Sequence, residues 1–236
     1  QSSTVVLSCM ADVKTSRDAL LGENGVMANL KAGQVVVDHG TVDIATSREC
    51  AETASAKGAH FIDAPISGGP GGAAAGTLAI MAGGTQEAFD IAKEYFDMMG
   101  ANVKLMGPTG AGTAMKLINQ LLVGINTIAA AEAFTLANSA GVDIQVAADL
   151  LGVSWGGSTM VERSAPFTAA RSFEDSGAPL RLINKDLSII KQLAADENLS
   201  LELGLKSQEM FATMMDLGKS ELDISAVIEL VEERSN

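Results

Sequence analysis

The chain has 236 residues, of which 47% are hydrophobic and 4% aromatic, and its formal charge at pH 7 is -13. A chain of this size and composition can form one large or two ordinary globular domains. The acidity argues against a nucleic acid partner, because phosphates are bound by clustered lysines and arginines, and it also argues against attachment to anionic membranes. No apolar run is free enough of polar residues to predict a membrane span.

The few cysteines and histidines also limit the chemistry. Cys9 and Cys50 are far apart, which indicates reduced thiols in an intracellular protein, cytoplasmic or in an organellar matrix. His39 and His60 are too few for a zinc site or a Ser-His-Asp triad, and each is predicted to be a strand-end or surface residue. We therefore expect no metal. The chain opens on Gln1 with no signal-peptide pattern.

Short apolar runs alternate with helical patterns in the first half of the chain. Strands are predicted at residues 4–10, 34–38, 60–64, 77–82 and 102–106. Helices are predicted at residues 13–21, 42–57 and 86–99. This alternation is typical of βαβ units, in which helices cover both faces of a parallel sheet.

After Gly107 only helical patterns follow. They fall at residues 112–139, 143–151, 159–170, 182–197, 201–217 and 225–234. The first is apolar on nearly every side, which predicts a buried central helix with the others around it. The predicted fold class is α/β plus all-α: the C-terminal part of a Rossmann-like domain in residues 1–107, then a helical domain around a long central helix in residues 108–236.

The central helix carries a few polar residues near its start. Lys116, Asn119 and Gln120 are spaced i, i+3 and i+4, so their side chains share one face. The preceding glycines, Gly110 and Gly112, would let an anion approach the unpaired N–H groups of the helix N-terminus. Two other interpretations stay open: a surface lysine, or a polar stripe that holds helices in register. Burial lowers the pKa of a lysine, as proton transfer near neutral pH requires.

Residues 68–76 are rich in glycine and follow the third predicted strand. One interpretation is a flexible linker. The other is a strand end where the backbone comes close to a ligand, as is common in open α/β sheets. Ser67, Gly68 and Gly69 offer one hydroxyl and two unshielded N–H groups, which suit a carboxylate or an alkoxide.

Four motifs in order resemble one family. They are Asp63-Ala-Pro-Ile-Ser-Gly-Gly69, Gly76-Thr-Leu-Ala-Ile-Met-Ala-Gly-Gly84, Gly110-x-Gly-x-x-x-Lys116 and Asn184-Lys-Asp-Leu187. Over essentially the whole chain they resemble the β-hydroxyacid dehydrogenases of the 3-hydroxyisobutyrate dehydrogenase and tartronate semialdehyde (2-hydroxy-3-oxopropionate) reductase type. The resemblance implies hydride transfer between NAD or NADP and a short 3-hydroxyacid or semialdehyde, a small carboxylate substrate. We also expect a homo-oligomer.

The resemblance also implies residue roles. Lys116 matches the catalytic lysine and would act as general acid/base. The residues matched to substrate binding are Ser67, Gly68, Gly69, Asn119 and Gln120. The family's asparagine often stands four residues after the lysine, where this chain has Gln120, with Asn119 one place earlier, so both are kept.

Three further residues match cofactor contacts of the family. Lys185 matches a lysine near the nicotinamide, and Thr41 matches a Ser/Thr position that contacts the cofactor. Met10 falls within a Met-Leu-Pro segment, although the sequence Cys9-Met-Ala11 lacks the proline.

The front of the chain departs from the family. No Gly-x-Gly-x-x-Gly turn is present, and the chain begins at what resembles the fourth strand of the dinucleotide-binding domain. We therefore expect an N-terminally truncated chain without the main dinucleotide platform, inactive or nearly so by itself. The alternative is a non-catalytic oligomerising fragment or remnant of such an enzyme. A 6-phosphogluconate dehydrogenase type would need a basic cluster for its phosphosugar, and the sequence has none.

Overall fold

A computed structural model describes residues 3–174 and 177–235. The chain divides into two compact units, Gln1–Ile118 and Asn119–Asn236. Each unit is treated by itself below. The predicted division at residues 107 and 108 precedes a long helix, whereas the compact units divide inside that helix.

The described residues of unit 1 form six strands and four complete helices. The strands are β1 (Val5–Ser8), β2 (Val35–Asp38), β3 (His60–Asp63), β4 (Ile66–Ser67), β5 (Leu78–Gly83) and β6 (Gly100–Gly107). The helices are α1 (Val13–Leu21), α2 (Ile44–Ser55), α3 (Gly69–Ala75) and α4 (Gln86–Met99), with a 3-10 helix at Val26–Asn29. The long helix α5 (Ala111–Ser139) begins in unit 1.

Side-chain caps explain where the helices of unit 1 begin. Asp12 accepts the N–H of Thr15 at the start of α1, and Asp43 accepts that of Thr46 at the start of α2. Thr85 does the same for α4. Such caps satisfy N–H groups that lack an intrahelical partner. The predicted bounds of α1 and α4 are confirmed to the residue.

The sheet is mixed rather than wholly parallel, so that part of the prediction is wrong. Strands β1, β2 and β3 are parallel neighbours, and β6 is parallel to β5. Strand β5 runs antiparallel to β3 and β4. The chain between β3 and β5 holds only β4 and the short α3, and parallel pairing needs a longer crossover.

Both faces of the sheet are covered, as predicted. Val35, Val36 and Val37 are all fully buried, and successive residues of a strand point to opposite faces. Val35 and Val37 join the cluster that contains Phe96 of α4. Val36 joins the cluster that contains Leu20 of α1. This two-sided burial explains why β2 reads as a continuous apolar run.

The glycine-rich segment forms helix α3, so the linker interpretation is wrong. Gly68 and Gly69 have φ values of 135° and 62°, and Gly76 ends the helix in the left-handed conformation. Glycine adopts these angles without steric cost. No residue of α3 is buried. Low glycine helix propensity hid this element from the sequence.

Unit 2 is helical. It holds most of α5, followed by α6 (Ile144–Gly152), α7 (Thr159–Ala170), α8 (Leu180–Asp196), α9 (Glu202–Asp216), a 3-10 helix at Ile224–Val227 and α10 (Ile228–Ser235). Two glycines allow close helix contacts: a Cβ on Gly124 would lie 2.9 Å from Leu187, and one on Gly204 would lie 2.5 Å from Leu121. The predicted fold class, an α/β part followed by a helical part, is confirmed.

Helix α5 is less buried than its sequence predicts. Leu122 and Leu136 expose more than half of their surface. Among residues 3–174 and 177–235, α5 is the one helix long and apolar enough to cross a membrane by length and composition. The central helix of a soluble domain passes the same test, so this finding alone does not assign a membrane segment.

Candidate active site

The three parallel strands of unit 1 end together. Ser8, Asp38 and Asp63 are neighbours in register at the carboxyl ends of β1, β2 and β3. In open α/β sheets, ligands bind at this edge. Met10 and Thr41, the two predicted cofactor residues of unit 1, follow β1 and β2 closely and therefore belong to this edge.

Three buried polar atoms near this edge have no hydrogen-bond partner among the described protein groups. They are Ser8 Oγ, Ser16 Oγ and His39 Nε2. His39 Nδ1 lies 2.7 Å from the Ala64 carbonyl oxygen, so Nδ1 carries the proton and Nε2 is left as an acceptor. Burial lowers the pKa of His39, so the ring is neutral at pH 7. His39 is a strand-end residue, as predicted, but a buried one.

These unpartnered atoms suit a bound polar group. Buried polar atoms are nearly always hydrogen-bonded to protein groups, ordered water or a ligand, so these two hydroxyls and one imidazole nitrogen can bond to water or to a bound group. A Cβ on Gly40 would stand 3.1 Å from Ser16 Oγ and 3.3 Å from the Met10 carbonyl oxygen, so glycine keeps this place open. The ribose hydroxyls and carboxamide of a nicotinamide nucleotide have the required chemistry.

Asp63 joins the end of β3 to the start of α5. Its carboxylate is buried, with Oδ1 2.8 Å from the Gly110 nitrogen and Oδ2 2.7 Å from the Thr113 nitrogen. Ser47 Oγ of α2 lies 2.9 Å from Thr113 Oγ1. The first turn of α5 is therefore fixed to the sheet edge by hydrogen bonds to two other elements.

Lys116 follows this capped turn and is buried, with 8% of its surface exposed. The interpretation of Lys116 as a surface charge is therefore wrong. Thr113 and Lys116 are three residues apart on a helix, so their side chains leave the same face. The Thr113 N–H is bonded to Asp63 at the carboxyl edge of the sheet, so the backbone of Lys116 lies about one helical turn away from that edge.

The predicted substrate residues of unit 1 lie at the junction of β4 and α3. Ser67 ends β4, pairs with Ala79 of β5 and is half-buried. Gly68 and Gly69 are exposed and begin the turn into α3. Ser67, Gly68 and Gly69 lie in sequence at this junction, and their role in substrate binding stays a prediction.

The predicted residues of unit 2 are joined by a carboxylate that the sequence analysis did not assign. Gln120 Nε2 donates to Asp186 Oδ2. Lys185 Nζ lies 2.8 Å from Asp186 Oδ1, in an ion pair whose angles are not those of a hydrogen bond. Asn119 Nδ2 donates to Gln120 Oε1 at 3.0 Å. Asn184 Oδ1 is buried and has no hydrogen-bond partner among the described groups. Asp186 therefore organises the Asn119, Gln120 and Lys185 side chains within this unit.

Two acids, Asp63 and Asp186, were missed as functional residues although both stand in the quoted motifs. Each is nearly fully buried. The signal was available: Asp63 follows Phe61-Ile62 at the end of an apolar strand, and Asp186 precedes Leu187 on the apolar face of α8. A carboxylate at a position that the pattern reserves for core residues needs partners.

Neither cysteine is suited to nucleophilic chemistry. Both are free, and burial raises the pKa of Cys9 and raises that of Cys50 to about 12. The thiolate is the reactive form of cysteine, so the buried Cys50 thiol is unreactive at neutral pH, and the exposed Cys9 thiol is less ionised than a free cysteine. The described part of the chain contains no cluster of three or more His, Cys, Asp or Glu side chains placed to hold a metal.

A substitution at Gly112 tests the close contact between α5 and the sheet. A Cβ at this residue would lie 2.2 Å from the Met81 carbonyl oxygen and 2.5 Å from that of Asp63. We expect Gly112→Ala to lower the free energy of unfolding by about 3 kcal/mol or more, because the clash is with backbone. Gly71→Ala, which meets no atom within 4 Å, is the matched control and should be neutral or slightly stabilising in urea unfolding.

The raised pKa of Asp63 leads us to expect that the free energy of unfolding depends on pH. Burial raises its pKa from 3.8 to about 6 against the opposing hydrogen bonds from Gly110 and Thr113. The folded state then binds the proton more tightly, so this contribution to stability is complete below pH 3.8 and is lost as the pH rises through 6. The change is about 3 kcal/mol. Urea unfolding of wild type and Asp63→Asn across this range measures it, and a pH-independent difference between them would contradict it.

Two family models match the chain. Residues 1–107 match the NAD binding domain of 6-phosphogluconate dehydrogenase. Residues 110–231 match the NAD-binding domain of NADP-dependent 3-hydroxyisobutyrate dehydrogenase. These two parts meet near the start of α5.

Known relatives agree with the family models. The chain is 32% identical to 2-hydroxy-3-oxopropionate reductase of Escherichia coli (strain K12), over 100% of this chain and 80% of that protein. It is 33% identical to mitochondrial 3-hydroxyisobutyrate dehydrogenase of Bos taurus, over 92% of this chain and 66% of that protein. A structure of Mycobacterium tuberculosis 3-hydroxyisobutyrate dehydrogenase with L-serine has a TM-score of 0.86 and 29% identity, over 97% of this chain and 79% of that one.

The chain belongs to the β-hydroxyacid dehydrogenase family. Both of its halves match NAD-binding models, so the comparisons do not support the expectation that the main dinucleotide platform is absent. The chain therefore contains domains of the kind that bind NAD or NADP.

Proposed function

We propose that the protein is an NAD(P)-dependent oxidoreductase that interconverts a short 3-hydroxyacid and the corresponding semialdehyde. The observation that carries this proposal is a buried lysine, Lys116, whose helix is tied by Asp63 to the carboxyl edge of a nicotinamide-binding sheet. The substrates named for the relatives, 3-hydroxyisobutyrate and 2-hydroxy-3-oxopropionate, define the substrate class.

Lys116 is proposed as the general acid/base. In the direction of reduction its ammonium donates a proton to the carbonyl oxygen that becomes the hydroxyl, and in oxidation the neutral amine accepts that proton. A nicotinamide cofactor, when bound, supplies or accepts the hydride. The protein contributes a proton donor and acceptor held in place by the fold.

Substrate binding is assigned to the β4–α3 junction. The Ser67 hydroxyl and the N–H groups of Gly68 and Gly69 would bind the carboxylate, for which backbone N–H groups are suitable donors. The exposure of both glycines is consistent with access for a small anion. L-serine, present in the M. tuberculosis structure, has the 3-hydroxyacid framework that such a stretch would take.

The other assigned roles rest on the resemblance. Asn119 and Gln120 would hold a substrate oxygen, and Lys185 would contact the nicotinamide. Within unit 2, Gln120 and Lys185 contact Asp186 directly and Asn119 is bonded to Gln120, which would restrict the conformations of all three side chains. Met10 and Thr41 would contact the cofactor, with Ser8 and His39 supplying the unpartnered atoms described above.

A spectrophotometric assay of NAD(P)H tests the proposal. The protein expressed from its complete gene is offered 3-hydroxyisobutyrate, 2-hydroxy-3-oxopropionate, glyoxylate and succinic semialdehyde with each cofactor. Turnover of at least one of them is expected, and turnover of none rejects the proposal. The 236-residue chain is assayed in parallel, because its low activity by itself remains a prediction.

Assembly is the second candidate function, and a groove in unit 2 favours it. The groove has a volume of about 660 Å³ and is lined by apolar and polar side chains of α5, α9 and α10 in equal number. Leu136 and Leu203 stand in its wall and are each 70% exposed. Exposed apolar surface of this kind marks interaction sites. We propose that a second copy of the chain covers it.

The groove carries charges of both signs, which supports the association of two identical copies of the chain. Glu132 lies on the α5 side and Arg234 on the α10 side of the groove. A two-fold arrangement would set Glu132 of one copy against Arg234 of the other. By light scattering, Leu136→Glu should give monomers, whereas Leu217→Glu, exposed outside the groove, should not. A monomeric wild type would reject the assembly.

A further inference from the structure

Asp63 is placed to act on the reaction through Lys116, and this role rests on the function proposed for that lysine. We propose that Asp63 is a positioning residue, which holds the first turn of α5 and with it the Lys116 amine at the carboxyl edge of the sheet. Asp63 has no part in the proton transfer itself.

The hydrogen bonds of Asp63 fix α5 in two ways. One carboxylate oxygen accepts the Gly110 N–H and the other accepts the Thr113 N–H, at 2.8 Å and 2.7 Å. The first N–H groups of a helix have no intrahelical partner, so one carboxylate that takes two of them sets both the place and the direction of the helix. Lys116 is the next residue of the same face after Thr113.

The neighbouring elements leave this turn little freedom. A Cβ on Gly83 would lie 2.6 Å from Asp63 Oδ1 and 2.7 Å from the Gly112 nitrogen, so strand β5 already touches both sides of the contact. On the side of α2, Ser47 is bonded to Thr113. The first turn is thus held by β3, β5 and α2. A change at Asp63 would shift this first turn and, with it, the following turn that carries Lys116.

Stability alone does not account for this acid. Burial raises the pKa of Asp63, which means that its ionised form costs folding free energy at neutral pH. An ionised carboxylate has two acceptor oxygens and no hydrogen, so it can accept both N–H groups without placing a donor against a donor. Asparagine keeps the shape of aspartate but turns an NH2 group towards one of these donors.

A double-mutant cycle tests the proposal with the complete protein. Asp63→Asn is made in the wild type and in Lys116→Ala. In the wild type we expect kcat to fall roughly 10- to 100-fold with little change in KM, since a displaced catalytic group slows the chemical step. The solvent deuterium isotope effect on kcat should rise, because proton transfer becomes slower. In Lys116→Ala the second substitution should have no further effect, because no amine remains to be positioned.

The cycle separates this inference from the proposed function. If Asp63→Asn lowers kcat equally in both backgrounds, Asp63 does not act through Lys116, and the inference fails while the function stands. If Lys116→Ala is as fast as wild type, both fail. Asp223→Asn, a change at a buried acid of unit 2, is the matched control and should lower the melting temperature without changing the isotope effect.

A milder variant serves if Asp63→Asn does not fold. Thr113→Val keeps the N–H bonded to Asp63 and removes the hydroxyl, which bonds Ser47 and also interacts with Asp63. We expect a smaller fall in kcat with the same rise in the isotope effect, and Thr113→Ser, which retains the hydroxyl, should behave as wild type. Wild-type kcat and isotope effect in a folded Thr113→Val would overturn the inference.

Discussion

The Lys116→Ala substitution is expected to lower kcat roughly 100- to 10,000-fold in the protein expressed from its complete gene. The reason is that alanine leaves no group to exchange a proton with the hydroxyl oxygen, while hydride transfer remains possible. The measurement is the initial rate of NAD(P)H formation or consumption at saturating substrate. Binding of cofactor, followed by fluorescence of the reduced nicotinamide, should change little.

Two controls show whether the loss reflects proton transfer. Lys116→Arg keeps a positive charge, but arginine does not release its proton in proteins, so kcat should stay low. Lys104→Ala removes an exposed lysine of β6 in the same unit and should leave kcat unchanged. If Lys116→Arg restores most of the activity, Lys116 supplies charge rather than a proton.

The second large effect concerns stability and is expected from Asp223→Ala. Asp223 is fully buried, and both of its oxygens receive guanidinium hydrogens of Arg163, one at 2.8 Å. It also accepts the Ser225 N–H at 2.9 Å. Removing one partner of a buried pair leaves the other uncompensated, and we expect the free energy of unfolding to fall by about 3–5 kcal/mol. Urea unfolding followed by circular dichroism measures the loss.

An exposed pair in the same unit provides the comparison. Arg181 Nε lies 3.0 Å from Glu221 Oε1, and both side chains are largely in solvent. Glu221→Ala should cost no more than about 1 kcal/mol, because water already screens the two charges. Equal losses in Asp223→Ala and Glu221→Ala would mean that burial does not decide the strength of these pairs.

Elements with local signals were predictable from the sequence. Helices α1 and α4 start at side-chain caps and stop next to glycines, and both sets of bounds are confirmed. Strand β2 was visible because three valines follow one another. Lys116 was singled out because a lysine near the start of an apolar helix needs an explanation, and the structure buries it.

Features that depend on tertiary contacts were not predictable. The antiparallel direction of β5 depends on how the chain leaves Asp63, which no residue pattern records. Asp63 caps α5 by accepting the N–H groups of Gly110 and Thr113, which lie 47 and 50 positions further along the chain. No local spacing in the sequence indicates this role. The exposure of Leu136 on α5 could not be foreseen, because an apolar helix looks the same in a core and at an interface.

Helix α3, which follows the residues proposed to bind substrate, is expected to open locally more easily than the rest of unit 1. Its seven residues include three glycines and one proline, and none of them is buried, so few contacts oppose its opening. Local opening free energies are small where side chains contribute no core packing. The amides of this segment should therefore exchange with deuterium well before those of β2. Binding of a carboxylate at the site proposed for Ser67, Gly68 and Gly69 should slow that exchange.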